Sequence, residues 1–294
     1  MTTRPMTLDS SLASTRAARR QARMSTWILY LVLILGGLMF IIPILWLILG
    51  SIKVDTELRS YPVYILPSTA QWDNYQKAVT VIPYFTHMLR SFLLAAVYAV
   101  LTVLSSSFVG FGFARLRAPG RNFLFMLLVS MMIVPSIVLV IPQYILYSRY
   151  GFIDTYWPWI LWGLTGAPFH IFLFRQFFST FPKELEDAAE IDGCNRWRIF
   201  WQVFLPNARA PVIVAFIFSF NWVWGDFFSQ SLFLSSKNAT LAMRLATAYA
   251  NPQGYPIYSL SMAGVVLYIL PLIIVFFLGQ RYFVEGIVTT GLKG

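Results

Sequence analysis

Residues Lys183 to Pro206 read KELEDAAEIDGCNRWRIFWQVFLP. They form the longest charge-rich amphipathic run in a chain that is otherwise almost wholly apolar. The run reads as helix, turn, helix. Pro182 suits a first helical position. Glu184, Glu186 and Asp187 fall in the first turns, where the helix dipole favours negative charge. Gly193 can take the left-handed conformation that ends a helix. Asn195 is placed to cap a second helix, whose Trp197, Phe200, Trp201 and Phe204 recur at three- and four-residue spacing. Pro206 closes the segment. A part-acidic, part-aromatic knob over residues 182–206 is therefore expected. It lies between two apolar spans and so outside the bilayer.

The flanks fix the class. Hydrophobic residues make up 58% of the chain and charged residues only 12%, with a mean hydropathy of +0.66. A soluble domain carries about a quarter charged residues, so this is an all-α integral membrane protein. Uncharged or nearly uncharged runs at 27–52, 91–114, 122–148, 155–174, 210–236 and 257–278 are each long enough to cross a bilayer, which needs about twenty residues. Six spans result, within a transmembrane unit at 26–283. Pro135 and Pro142 are placed to bend the third. Trp157 and Trp159 lead the fourth at the expected membrane interface. Residues 53–90 read as an external loop with short structure, and Lys237 to Pro256 as a polar loop.

Six spans put both termini on one side. Of the 22 Lys and Arg residues, 15 lie in the two tails, the 115–121 turn and the 175–209 segment. The other seven are Lys53, Arg59, Lys77, Arg90, Arg149, Lys237 and Arg244. The positive-inside rule then places both tails and the knob in the cytoplasm of a multi-pass cell-membrane protein. Residues 1–25 read as a flexible cytoplasmic tail and residues 284–294 as a short one. Arg19-Arg20 resembles a twin-arginine signal, but the apolar run after it is too long for a signal core. The net charge of +10 sits beside apolar spans and points to lipid rather than nucleic acid.

Much chemistry is missing. One cysteine, Cys194, excludes an internal disulfide framework. His87 and His170 are far apart and read as packing residues, so no metal site is expected. No lysine follows a glycine, so the chain has no phosphate-binding loop of the G-x-x-x-x-G-K type. Asp226 is the only acid within the spans, fewer than ion-driven transporters usually bury. If the chain moves a solute against a gradient, the simplest account is that the energy comes from another polypeptide. The alternative is a stand-alone secondary transporter or channel centred on Asp226.

Around Asp226, the stretch Phe220-Asn221-Trp222-Val223-Trp224-Gly225-Asp226 is unusual for a span. Asp226 falls roughly 22 Å along a helix counted from Pro211, in the outer part of the bilayer. An amide, a carboxylate and indole rings suit a polyhydroxylated ligand, with polar groups on hydroxyls and ring faces on sugar C–H surfaces. Asn221 and Asp226 suit interhelical hydrogen bonds equally well.

The knob resembles the EAA loop of ABC importer permeases, roughly E-A-A-x-x-D-G-A, then a Phe, then Leu-Pro. The matching residues are Asp187-Ala188-Ala189, Asp192-Gly193-Cys194, Phe200 and Leu205-Pro206; Asp187 replaces the usual Glu and Cys194 the usual Ala. From Trp27 onward the chain is similar to the carbohydrate, maltose-type family, and within it to the second permease of such systems. That resemblance implies a type I permease fold and a coupling loop that uses Glu186, Asp187, Ala188, Ala189, Asp192, Gly193, Phe200 and Pro206 to engage an ATPase. It further implies two ABC ATPase subunits carrying ATP and Mg, a second permease chain and an extracytoplasmic solute-binding protein, with no cofactor or catalysis on this chain. The cargo would be a sugar or related polyol. Permeases for other solutes, such as polyamines, share the loop. Asn221, Trp222 and Asp226 would line the substrate pathway. Lys293 and Gly294, in the family's C-terminal tail, would reach the ATPase subunits.

Overall fold

The computed structural model describes the backbone of residues 8–291 and the side chains of residues 26–281. Among these residues it is all helix and loop, apart from one bridge between Ala250 and Pro256. The first helix, α1 (Leu8–Ser51), starts well inside the segment expected to be a flexible tail. Residues 16–25 are rich in Ala, Arg, Gln and Met, which favour helix. From Thr26 to Ser51 it is apolar enough to cross a membrane.

Two short helices, α2 (Asp55–Leu58) and α3 (Asp73–Thr80), lie in the segment expected to be an external loop. Then comes α4 (Tyr84–Arg115), the hub of the molecule. It packs on α7 (Trp157–Thr165), α8 (Pro168–Ser179) and α12 (Arg209–Trp224). The close approach is built from small buried residues at helical spacing, Ala95, Ala99, Ser106 and Gly110. A Cβ at Gly110 would stand 2.7 Å from that of Phe174 on α8, so the two helices meet there almost backbone to backbone.

The expected spans are less regular than their hydropathy. The third splits into α5 (Arg121–Ser130), a 3₁₀ turn and α6 (Ser136–Arg149), with a 98° bend between the halves. The break falls at Pro135; α6 continues through Pro142. The fourth is α7 and α8, interrupted at Gly166 and Ala167 because Pro168 cannot sit in a helix interior. The fifth stops at Trp224; residues 228–233 form a separate short helix, α13 (Phe228–Phe233). The last span is α15 (Tyr258–Gly291), which packs on α1, α3 and α12. By length and composition three described helices cross a membrane unbroken, and five do if each bent pair counts once.

Two expectations are corrected by packing. The polar loop at 237–256 contains α14 (Leu241–Thr247), whose Leu241 and Leu245 are buried against α4 and α15. Trp159 is fully buried among Tyr98, Phe220 and Phe233 rather than at an interface, whereas Trp157 is half exposed. His87 is a packing residue, its Nδ1 2.7 Å from the Ala239 carbonyl oxygen. His170 is buried with no hydrogen bond to either ring nitrogen among the described residues.

Candidate functional site

The knob is built on α9 (Glu184–Ile191) and α10 (Arg196–Ile199). Three acids occupy the first turn of α9, as the dipole favours. Its C-terminus closes by a double hydrogen bond. The Gly193 N–H donates to the Glu190 oxygen at 3.0 Å and the Cys194 N–H to the Ala189 oxygen at 2.9 Å. That pattern requires a left-handed residue, and Gly193 has φ +78°. Asn195 caps α10, its side-chain oxygen accepting from the Arg198 N–H at 2.9 Å. The chain then runs through a π-helical turn, Phe200–Phe204, and a last helical turn, α11 (Leu205–Asn207). Pro206 does not end the segment. The break comes two residues later, at Ala208, where the axis bends by 81° into α12.

The residues expected to meet an ATPase separate onto two faces. Glu186, Ala189 and Phe200 point inward and are buried. Phe200 and Phe204 pack on Phe111 of α4, with ring centroids 5.5 and 4.9 Å away. Phe204 also meets Phe178 and Phe181. Asp187, Ala188, Asp192, Gly193 and Pro206 are exposed, and Ile191 beside them is 86% exposed. A Cβ added at Gly193 would meet nothing within 4 Å. Trp197 touches Phe108 and Phe200 by one edge yet is half exposed.

Beneath the inner face lies an ion-pair chain that hydropathy reading missed. Glu186 takes Arg115 on one oxygen at 3.0 Å and Arg196 on the other at 2.9 Å. Arg196 also holds Glu190 at 2.7 Å. The Arg115 guanidinium donates to the Phe178 carbonyl at 3.1 Å and to the Phe181 carbonyl, and lies over the Phe204 ring. Charge counting used Arg115 only as a topology marker. The available signal was Glu186 itself, a carboxylate one helical turn from the inward Ala189, where a buried charge needs a cation.

The outer end of α12 forms a second feature. Asp226 lies past the helix end, not on it. Its Oδ1 accepts from the Ser229 N–H at 2.9 Å and so caps α13. Its Oδ2 is buried without a hydrogen bond among the described residues, as is the indole nitrogen of the nearby Trp159. The Asn221 Oδ1 is buried without a hydrogen bond among the described residues. Trp222 is half exposed, with its ring 5.3 Å from Tyr98 and 6.1 Å from Trp162. The final α12 carbonyls are closed by side chains that sequence did not flag. Gln230 donates to the Val223 oxygen at 2.7 Å, and the Tyr268 hydroxyl donates to that of Trp224. The structure thus brings Asn221, Trp222 and Asp226 to one end of one helix, far along the chain from the knob. Lys293 and Gly294 lie outside the described residues.

Comparison with known proteins bears on the chain as a whole. Residues 103–288 match the family described as binding-protein-dependent transport system inner membrane component. The permease protein AraQ of an arabinooligosaccharides transport system in Halalkalibacterium halodurans is 33% identical, over 94% of this chain and 99% of its own. The lactose transport permease LacG of Rhizobium radiobacter is 32% identical, over 87% and 93%. The diacetylchitobiose uptake permease NgcG of Streptomyces coelicolor is 29% identical, over 94% and 91%. A crystal structure of a bacterial ABC transporter involved in the import of the acidic polysaccharide alginate superposes with a TM-score of 0.72 at 21% identity, covering 90% of this chain and 98% of that one, and shares the fold. With its helical hub, bent spans and helix-turn-helix knob, this chain therefore belongs to the family of inner-membrane permease components of binding-protein-dependent ABC importers.

Proposed function

We propose that this chain forms half of the translocation pathway for a sugar or related polyol and couples it to ATP hydrolysis on two separate nucleotide-binding subunits. The observation that carries this reading is the outer face of the knob. Asp187, Ala188, Ile191, Asp192 and Gly193 are exposed together on a helix whose opposite face is locked into the membrane bundle. A rigid, exposed, part-apolar helix end suits a groove on a partner. Asp187 and Asp192 offer carboxylates to that partner's basic or amide groups. ATP and Mg would sit on the partners, both termini in the cytoplasm, and Lys293 and Gly294 against the ATPase pair. A second permease would complete the pathway, and an extracytoplasmic binding protein would deliver the cargo.

The sugar reading draws on the relatives named for arabinooligosaccharides, lactose and diacetylchitobiose. The Asn221, Trp222 and Asp226 cluster supports it. Asp226 spends Oδ1 on a local cap, and its Oδ2 and the Asn221 oxygen carry no hydrogen bond among the described residues, which leaves both for another donor. Tyr98 and Trp162 stand beside Trp222 and offer further ring faces.

Gly193→Val tests the coupling. The new side chain has room, so the knob keeps its packing, but a branched residue is strained at this φ and alters the tip. Uptake per ATP hydrolysed by the complete complex should fall about tenfold, the scale of a typical coupling energy. Undiminished uptake would falsify the knob as the coupling element.

A further inference from the structure

We propose that Arg115 is a positioning residue that makes the knob and α4 move as a single body. The proposal rests on the coupling role given to the knob above. Covalently, the knob is held only by its two exits, the residues after α8 and the 81° break at Ala208 before α12. Both are points where a chain bends. The tie to the hub helix is not covalent. Among the described residues it is made by apolar packing, chiefly aromatic contacts to Phe108 and Phe111, and by Arg115.

These two ties differ in kind. Apolar contact is non-directional and allows one ring to slide past another. The Arg115 guanidinium is aimed by hydrogen bonds to two carbonyls and from that fixed orientation ion-pairs with Glu186, which constrains direction as well as distance. Arg115 is the last residue of α4, and its side chain is only 12% exposed. It reaches the Phe178 and Phe181 carbonyls at the end of α8, the Glu186 carboxylate on α9 and the Phe204 ring before α12. One side chain therefore touches the end of α8, the first knob helix and the π-helical turn that precedes α12. Glu186 is shared with Arg196, which holds Glu190, so the pull is spread over both knob helices. Because α4 packs on α7, α8 and α12, a displacement of the knob carried through Arg115 reaches the core of the pathway. A lysine could hold Glu186, but its compact ammonium lacks the planar fork that spans the carboxylate and both carbonyls at once.

The test uses the complete complex, purified with its ATPase subunits in lipid nanodiscs and carrying Cys194→Ser. Spin labels are placed at Arg198→Cys on the knob and Val100→Cys on α4, both exposed. The inter-label distance is measured without nucleotide and after trapping with Mg-ATP and orthovanadate. With Arg115 intact, one narrow distance should persist in both states. In Arg115→Met the distance should shift on trapping, and Arg115→Lys should fall between. Glu186→Gln keeps the packing and carries the test should Arg115→Met not assemble; it should shift likewise. A distance that stays narrow in both variants, or broadens equally with and without nucleotide, overturns the inference. Nucleotide-dependent change with Arg115 intact does so too. If no ATPase accompanies the chain, this inference and the coupling role both fall. If one does and the variants match the parent, only this inference falls.

Discussion

Two carboxylates fasten this molecule at opposite ends, and they work by different chemistry. Glu186, in the knob, is 8% exposed at its side chain and is held by two guanidinium groups. Asp154, in the loop between α6 and α7, is only partly buried, and its hydrogen bonds run to neutral groups. Its Oδ1 accepts from the Ser235 N–H at 2.8 Å and its carbonyl from the Asn238 side chain at 2.7 Å, while its own N–H donates to the Phe233 oxygen at 2.7 Å. Asp154 also adopts φ +59°, a left-handed conformation that Asp and Asn tolerate better than most residues. The comparison teaches that burial dictates the partner. A carboxylate taken out of water needs full counter-charge, because desolvation costs several kcal/mol. A wet one can be used for its geometry alone.

Removing the partner at each end should widen the contrast. Arg115→Ala leaves Glu186 buried with Arg196 alone. It should cost about 3 kcal/mol, the low end of the range for breaking a buried pair, as read by denaturant titration of the detergent-solubilised protein. A loss below about 1 kcal/mol would place Glu186 in effectively wet surroundings. Asn195→Ala removes a cap beside the same network and should cost about 1 kcal/mol, with Asn195→Asp near neutral.

Asp154→Asn should have the smallest effect, and one that depends on pH. Asn keeps the left-handed backbone and the acceptor oxygen but loses the charge. Hydrogen bonding from the Ser235 N–H and hydroxyl holds the Asp154 carboxyl below the usual carboxylate range. A depressed folded-state value stabilises the fold in full above the ordinary unfolded value of about 3.9, and the gain fades as pH falls toward the folded value. The difference between parent and variant should therefore be flat from pH 7 to about pH 5 and shrink in more acid solution. A difference that grew on acidification would reverse the sign argued here.

What could be read in advance was local. The acidic first turn, the glycine stop and the asparagine cap of the knob lie close together in sequence and appear where the sequence places them, whereas the aromatic run winds into a π-helical turn that buries Phe200 and Phe204 and leaves Trp197 and Trp201 exposed. The outer cluster at Asn221 to Asp226 was legible as polar groups in an apolar run. Its roles depend on Ser229, Trp159 and Tyr98, which hydropathy does not connect to it. Span boundaries failed where backbone geometry overrode composition. Pro168 splits a run that is apolar throughout, and Leu241 and Leu245 fold a nominally polar loop into the core. Arg115 was invisible as an anchor because it lies 71 residues before Glu186 in sequence.

The π-helical turn at Phe200–Phe204 has a consequence for how such a chain tolerates change. A turn of this kind accommodates one surplus residue inside an otherwise ordinary helix. Deleting a single residue there would close the turn into regular winding and leave the helical phase downstream nearly unchanged, whereas deleting one from the regular helix beyond it would rotate everything downstream by about 100° about the local axis. The second deletion would turn α12 on its axis and carry Trp222 away from Tyr98. The surplus residue acts as slack between the knob and the far end of α12. The same one-residue deletion is absorbed inside the turn and changes the aim of the helix outside it.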